Sequence, residues 1–429
     1  MRVFIGPLEV AGIAAGLARG LRAHGHEADL VLAYAHRFAY GGAGDHGGVA
    51  GWWARAGRWR QALPRSRPLR KAFAFGLQQL LGWAVLAWAA RRYDAFVFLY
   101  GETITNTGFE LRLLRWLGRR TVVVFVGSDS RPPYVDGGWF PADRPFDARA
   151  AARAARRQQS KVRRLERGAS VCVNAPATGH FHARRFVHWL ALGIPREVPP
   201  APAALAPGPA LRALHGPSHP VLKGTARIRA AVQALRERGV AVELDTVEGR
   251  PNAEVLVALA GCDLVLDQLY SDTPMAAFAT EGASLGRAVL VGGYTASAIA
   301  TEAARHGLPL PPTAFVEPEA FETELARLVA DAEVRRRVGA DSRAFVAAHW
   351  TPQAVAGRLL RMIEGTVPEA WWVEPGEVVH LQGCGLPEAV ARERVRALVE
   401  RCGARALRLD DKPALRESFL AFARGEAQA

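Results

Sequence analysis

The chain repeats one pattern twice. Short apolar runs alternate with helix-prone segments over residues 1–194, and again over 210–367. Between them lie prolines at 195, 199, 200, 202, 207 and 209. Strands covered by helices on both faces read as near-continuous apolar runs, so each half predicts a parallel sheet wrapped by helices. The stretch 195–209 predicts a semi-rigid linker. A further segment, 368–429, follows, with helices expected near 387–402 and 413–424. The expected fold class is α/β: two Rossmann-like doubly wound domains facing a cleft, with a small C-terminal helical appendage. The 429 residues suffice for a sizeable core in each half.

Expected strands in the first half are Val3–Ile5, Ala28–Ala33, Ala95–Tyr100, Thr121–Val126, Ser170–Asn174 and Val187–Leu192. In the second half they are Arg212–His215, Val240–Val247, Asp263–Asp267 and Ala288–Val291, with Thr225 expected to cap a helix. Gly12, Gly16 and Gly20 share one helix face. They predict close packing of that helix on the sheet, with Gly12 able to let a phosphate approach. In open α/β sheets ligands bind past the carboxyl ends of strands, which singles out Gly127-Ser128-Asp129 and Glu102.

Charge narrows the partners. Fifty-five basic against 41 acidic residues give a net charge of +14, which favours anionic ligands. Only Lys71, Lys161, Lys223 and Lys412 are lysines, and this arginine-rich composition fits a high-GC bacterial source. No acid occurs between Asp45 and Asp94. Within that span a glycine run (Gly41, Gly42, Gly44, Gly47, Gly48) predicts a mobile loop. Trp52, Trp53 and Trp59 then interleave with Arg55, Arg58 and Arg60. Tryptophan among arginines suits an anionic membrane surface. Residues 72–90 read as a largely buried helix. Nucleic acid is not expected as a partner, since only net charge speaks for it.

The cysteines at 172, 262, 384 and 402 lack C-x-x-C spacing, which points away from a zinc ribbon or disulfide scaffold and toward a reducing compartment. No signal peptide is read at the N-terminus. The expected location is cytoplasmic, with peripheral attachment to the inner face of the membrane. His180, His182 and His188 lack i,i+4 spacing and read as ordinary surface. No Asp-x-Asp, His-Glu-x-x-His or Walker A loop occurs, so no metal and no cofactor are expected.

The second half carries a resemblance. His215-Gly216-Pro217-Ser218, then Leu222-Lys223-Gly224-Thr225, Asp263 to Gln268, and Phe278 to Leu290 resemble the GT-B glycosyltransferases, most closely the retaining, family-four-like group. The resemblance covers about residues 1–365. It implies transfer of a sugar from a nucleotide-sugar donor to an acceptor hydroxyl with retention; the lack of Asp-x-Asp points to no metal, and the tryptophan–arginine stretch to a lipid-linked or cell-envelope glycan acceptor. It implies that Lys223 contacts the donor diphosphate and Glu281 the donor ribose. His215, Ser218, Gly224 and Gly282 complete the donor set. Gly12, Glu102, Gly127 and Ser128 form the acceptor or phosphate side, and Asp129 serves the acceptor. The chemistry agrees: a leaving diphosphate gains charge that a lysine and helix N–H groups can stabilise. The chain departs from the family pattern at Thr273, where an acid is common, at Val126, where a histidine is common, and at Ser218, where a basic residue is common. These departures leave two alternatives: a non-catalytic nucleotide-sugar-binding homologue, or an epimerase or hydrolase of the same fold.

Overall fold

The computed structural model describes residues 1–34, 47–64, 66–200, 202 and 208–426. The glycines at 41, 42 and 44 and linker residues 201 and 203–207 lie outside the described residues.

The first half folds as β1 (Arg2–Gly6), α1 (Ile13–Ala23), β2 (Glu27–Leu30), α2 (Gly48–Ala62), α3 (Pro68–Arg92), β3 (Ala95–Leu99), α4 (Phe109–Trp116), β4 (Arg120–Val124), α5 (Ala148–Gly168), β5 (Val171–Asn174), β6 (Phe186–His188) and α6 (Trp189–Leu192). The second half contains β7 (Leu211–His215), α7 (Pro220–Lys223), α8 (Thr225–Glu237), β8 (Val242–Thr246), α9 (Asn252–Ala260), β9 (Leu264–Leu266), α10 (Ala277–Ser284), β10 (Ala288–Gly292), α11 (Ile299–Arg305) and β11 (Ala314–Val316). It ends with α12 (Phe321–Ala330), α13 (Ala332–His349) and α14 (Pro352–Glu364). The final segment adds β12 (Trp372–Val373), α15 (Glu388–Cys402) and α16 (Pro413–Arg424).

One sheet has the order β12-β6-β5-β4-β3-β1-β2 and the other β11-β10-β9-β7-β8. All pairings are parallel except β12 with β6. Both orders reverse direction beside their first strand, which is the doubly wound arrangement. The central strands β1, β3 and β4 of the first sheet are apolar on both faces, whereas the edge strand β2 carries Glu27 and Asp29. Val3, Ile5, Val97, Leu99, Val122 and Val124 fill one core. Phe4, Phe96, Phe98, Val123 and Phe125 fill the other. Side chains alternate across a strand, so a run without polar breaks needs a cover on each side.

Four expectations need correction. Val187–Leu192 is not one strand: β6 stops at His188, whose ring Nδ1 accepts from the Leu190 amide and caps α6. Thr225 does not cap α8; Gly224, in the left-handed conformation, is the N-cap, and Thr225 Oγ1 bonds His215 instead. Gly16 and Gly20 do not face the sheet. A Cβ at Gly16 would meet Pro195, and one at Gly20 would meet the Pro352 carbonyl of α14. The start of the linker and α14 therefore pack on α1, so the second half reaches back onto the first.

The fourth concerns α3. Its buried stripe is Ala74, Gln78, Gly82, Val85, Leu86, Ala89 and Ala90, but its other face is apolar and open. Leu69 is 84% exposed and Leu80 is 71% exposed, with Phe73 and Phe75 beside them. By length and composition this helix could cross a membrane.

The C-terminal segment is part of the first core. Leu398, Leu407, Phe419 and Phe422 join the cluster that holds Phe4 and Phe98. Phe419 is fully buried edge-on to Tyr134, with centroids 5.7 Å apart. Phe419→Ala should cost about 3–5 kcal/mol, seen as a lower urea midpoint, and Phe419→Leu should recover most of it.

Candidate functional site

The carboxyl edges of the two sheets face one cavity of about 170 Å³. From the first half it is lined by Val10, Ala11, Val126, Gly127, Asn174 and Thr178. From the second half come Asp272, Thr273, Thr295 and Glu302, and the C-terminal segment adds His380. Most of its wall is apolar. The Oγ1 atoms of Thr273 and Thr295 are buried there without a hydrogen-bond partner. Thr273, read as a departure from the family pattern, thus offers a hydroxyl where an acid is common.

Arg131 closes one side. It follows β4, is 4% exposed, and donates to Asp136 Oδ2 at 2.5 Å. Its other terminal nitrogen pairs with Asp272, past the end of β9. Burial works against its charge, but the two carboxylates outweigh burial and hold it cationic. The C-terminal segment straps this contact. Cys384 O accepts from the Gly137 amide, and the Gly385 amide donates to Tyr270 O in the second half. A Cβ on Gly383 would strike the Val135 carbonyl, so only glycine lets the strap lie this close.

The opposite side holds a histidine network that sequence spacing missed. His180, His182 and His188 are buried, not surface. Their partners are set by tertiary packing, which no i,i+4 rule reports: His180 bonds the His380 carbonyl, His182 bonds Glu166, and His188 meets His380 at Glu302. Because His188 Nδ1 accepts from Leu190 N, its Nε2 carries the proton and donates to Glu302 at 2.8 Å. His380 Nε2 also contacts Glu302, at 3.1 Å. Burial alone would raise the Glu302 pKa, but these two imidazoles lower it to about 2. Stability from this network is therefore present above the ordinary glutamate value near 4.5 and is lost as pH falls toward about 2.

Lys223 sits where the second sheet reverses its winding. It follows β7, and its Nζ donates to Asp267 Oδ1, just past β9, at 3.1 Å. Gly224 has φ 69°, and a Cβ there would press on Leu269, so the turn that presents Lys223 requires glycine. Ser218 is exposed on the same loop.

Three predicted contacts are taken by the chain itself. Glu281 is fully buried; its Oε1 accepts from Asn252 at 2.8 Å and pairs with Arg196 at 3.0 Å. It therefore does not present two free acceptor oxygens to a ribose. His215 is also fully buried and spends both ring nitrogens on the framework, Nδ1 on Leu266 O and Nε2 on Thr225 Oγ1. Gly12 starts α1 with φ 82°, but the first-turn amides of Ala14 and Ala15 already bond the Glu9 carboxylate. The expected phosphate cradle is filled by an internal anion. Gly282 packs against Val265, serving the α10–β9 contact.

On the first half, Gly127 separates this cavity from a second one. The second, about 870 Å³, is lined by Tyr100, Glu102, Ser128, Asp129, Trp139 and residues of α5. Ser128 Oγ bonds the Tyr100 hydroxyl at 2.7 Å. Glu102 pairs with Lys161 at 3.5 Å. Asp129 Oδ1 accepts from the Val126 amide at 3.0 Å, while Oδ2 is buried without a partner. Burial raises the Asp129 pKa to about 6, opposed in part by Lys161 and by backbone amides. That places a carboxyl near the range useful for proton transfer. Among the described residues no group of three metal-ligating side chains occurs.

No family model and no curated protein matches the chain. Solved structures do, distantly. The chain is similar to the glycosyltransferase SnogD from Streptomyces nogalater, with 15% identity, 84% of this chain and 99% of that chain covered, and a TM-score of 0.40. It is similar to HepE of Anabaena in complex with UDP and glucose, at 13% identity, 85% and 99% coverage and a TM-score of 0.46. It is similar to TarM of S. aureus with UDP bound, at 9% identity and a TM-score of 0.42, covering 67% of this chain and 59% of TarM. Likenesses this distant carry no functional weight, so any assignment rests on the chain's own residues.

The Asp129 pKa fixes the sign of a test. Its folded value, about 6, lies above the ordinary 3.8, so the ionised carboxylate costs native stability at neutral pH and above. Asp129→Asn should raise the melting temperature at about pH 8 and leave it nearly unchanged at about pH 4. Paired thermal melts check this.

Proposed function

We propose that the chain is a GT-B glycosyltransferase that moves a sugar from a nucleotide donor to an acceptor hydroxyl, with retention and without a bound metal. The observation that carries this is the convergence of both sheets' carboxyl edges on one cavity, with Lys223 at the point where the second sheet reverses. The donor diphosphate lies beside Lys223 and Gly224, near Ser218. The sugar enters the interdomain cavity, where the hydroxyls of Thr273 and Thr295 lack partners. As the glycosidic bond breaks, Lys223 exchanges Asp267 for the departing diphosphate and stabilises its growing charge. The largely apolar wall of the cavity limits hydrolysis of the donor. Asp129 orients the acceptor hydroxyl.

A second reading is a protein of the same fold that binds the nucleotide sugar and does not turn it over. The Arg196–Glu281 pair favours it, because the acid that resembles a ribose ligand is committed internally. Thr273, in place of an acid, points the same way.

Isothermal titration with UDP, GDP, ADP and their common sugars tests the donor site. Lys223→Ala alone would strand the buried Asp267 carboxylate, so the informative variant is Lys223→Met with Asp267→Asn. One nucleotide should bind wild type, and the paired variant should weaken it at least tenfold, by about 1.4 kcal/mol or more. No binding by any member would sink the transferase reading. Binding without turnover over a panel of acceptors would favour the second.

Location follows from α3. Its open face continues through Trp83, which packs on Phe109, toward Trp116, itself 80% exposed. Trp53 is buried, whereas Trp52 and Trp59 are exposed and Arg55 lies 4.3 Å over the Trp52 ring. A patch of this size marks an interaction surface. Together with Arg55, Arg58 and Lys71 it suits an anionic leaflet, whereas Arg60 turns inward onto Gln78 and Tyr34, and the patch makes a lipid-linked or envelope acceptor the natural substrate. Sedimentation with phosphatidylglycerol vesicles should pull down wild type. Leu69→Ser with Leu80→Ser should lose most of that binding. Equal recovery of both proteins, or none of either, would remove the membrane from the proposal.

A further inference from the structure

The second cavity has a charge pattern that the transfer chemistry above does not use. Its α5 wall presents Arg153, Arg156, Arg157, Lys161 and Arg164, against only Glu102 and Asp129. Positions 153, 157, 161 and 164 follow helical spacing, so they form one stripe about 16 Å long. The opposite face of α5 is buried through Ala151, Ala155, Val162 and Leu165, which fixes the stripe's direction. Arg153, Arg156 and Arg157 are exposed, and among the described residues none of the three has an ion pair. Some exposed arginines elsewhere find carboxylates, as Arg327 and Arg336 do, and others such as Arg236 and Arg337 do not, but on α5 the unpaired ones are gathered on one cavity wall. Like charges stacked along one helix face repel one another, so the arrangement lacks a local structural reward.

We infer that this cavity seats a diphosphate, or a comparable dianionic phosphoryl group, borne by the acceptor, and that it turns a neighbouring acceptor hydroxyl toward Asp129. The inference rests on the transferase reading only in calling this ligand the acceptor. Arginine forks on phosphate oxygens give directed, charge-assisted hydrogen bonds, and several along a stripe match a group with more than one phosphate. Asp129 lines the cavity across from α5, and its buried Oδ2 has no hydrogen-bond partner, so a small shift of the loop after β4 would offer it to a hydroxyl donor. A polyanion without such a donor would meet only repulsion there. Trp139 lines the same cavity. It is half exposed, with its Nε1 held by Ser128 O at 3.0 Å, so its ring face can carry a sugar. The loop after β3 ties the cavity to the apolar helix: Tyr100 and Glu102 line it, and Ile104 O packs against Gly82 of α3. A lipid-borne diphosphate and a soluble sugar phosphate share the required chemistry.

The first probe is inorganic pyrophosphate, titrated calorimetrically into the full chain. Wild type should bind it, more weakly as salt rises. Arg153→Ala with Arg157→Ala, both exposed and therefore cheap for folding, should weaken binding at least tenfold. Arg327→Ala with Arg336→Ala, which removes as much positive charge outside this cavity's lining, should leave it unchanged. Equal affinity in wild type and the Arg153/Arg157 variant overturns the inference, as does an equal loss in the Arg327/Arg336 variant, which would mark general attraction to a cationic surface. Geranyl diphosphate and glucose 1-phosphate then separate the sources: arginine-dependent binding of either supports the site and names its source, and binding of neither overturns it. If the nucleotide panel fails while pyrophosphate binds through the arginines, the transferase reading falls and the anion site stands.

Discussion

Arg131 between Asp136 and Asp272 is the contact on which the rest of the site depends. A buried guanidinium with two carboxylates is held in place because removing either partner would leave an uncompensated charge out of water. Asp136 belongs to the first half and Asp272 to the second. The ion triad therefore sets the distance and angle between the two sheets, and with them the shape of the cavity. The glycine strap at 383–385 lies directly over it and keeps water away. Without the strap the pair would be an exposed contact worth little.

Several polar groups that a ligand could have used are spent internally. Glu9 fills the amides of α1, Arg196 and Asn252 hold Glu281, and Asp267 holds Lys223. The common cause is enclosure. Once the two halves close, each charged group facing the cleft leaves water and must find a partner. Partial burial makes Lys223 responsive, since an incoming diphosphate competes chiefly with one carboxylate. The Glu302 pair of histidines shows the other outcome, a network on the cavity wall that ties first half, second half and C-terminal segment together.

The Lys223 loop was legible in advance because its parts are local: a strand end, a lysine and a glycine at a turn that needs positive φ. Asp129 was legible for the same reason, lying just past a strong apolar strand. Glu281 was placed on the right element, but its partner Arg196 is 85 residues away in sequence, in a segment that reads only as linker. The histidines were misjudged because burial is a property of packing, and their spacing carries no helical signal. The open face of α3 was misjudged for the reverse reason. Apolar composition predicts burial in water, and only the fold reveals that a single stripe of small residues is covered.

By itself the sequence determined two parallel sheets with helices on both sides, because apolar strands without polar alternation cannot be stable half-exposed. It also determined the turn that carries Lys223 and the cationic character of α5. Only the tertiary structure decided which charges neutralise one another, which cations stay unpaired, and that the last sixty residues strap the cleft and complete the first core. Those outcomes depend on contacts between residues far apart in the chain. Such contacts form after the local elements exist, and no periodicity in the sequence records them.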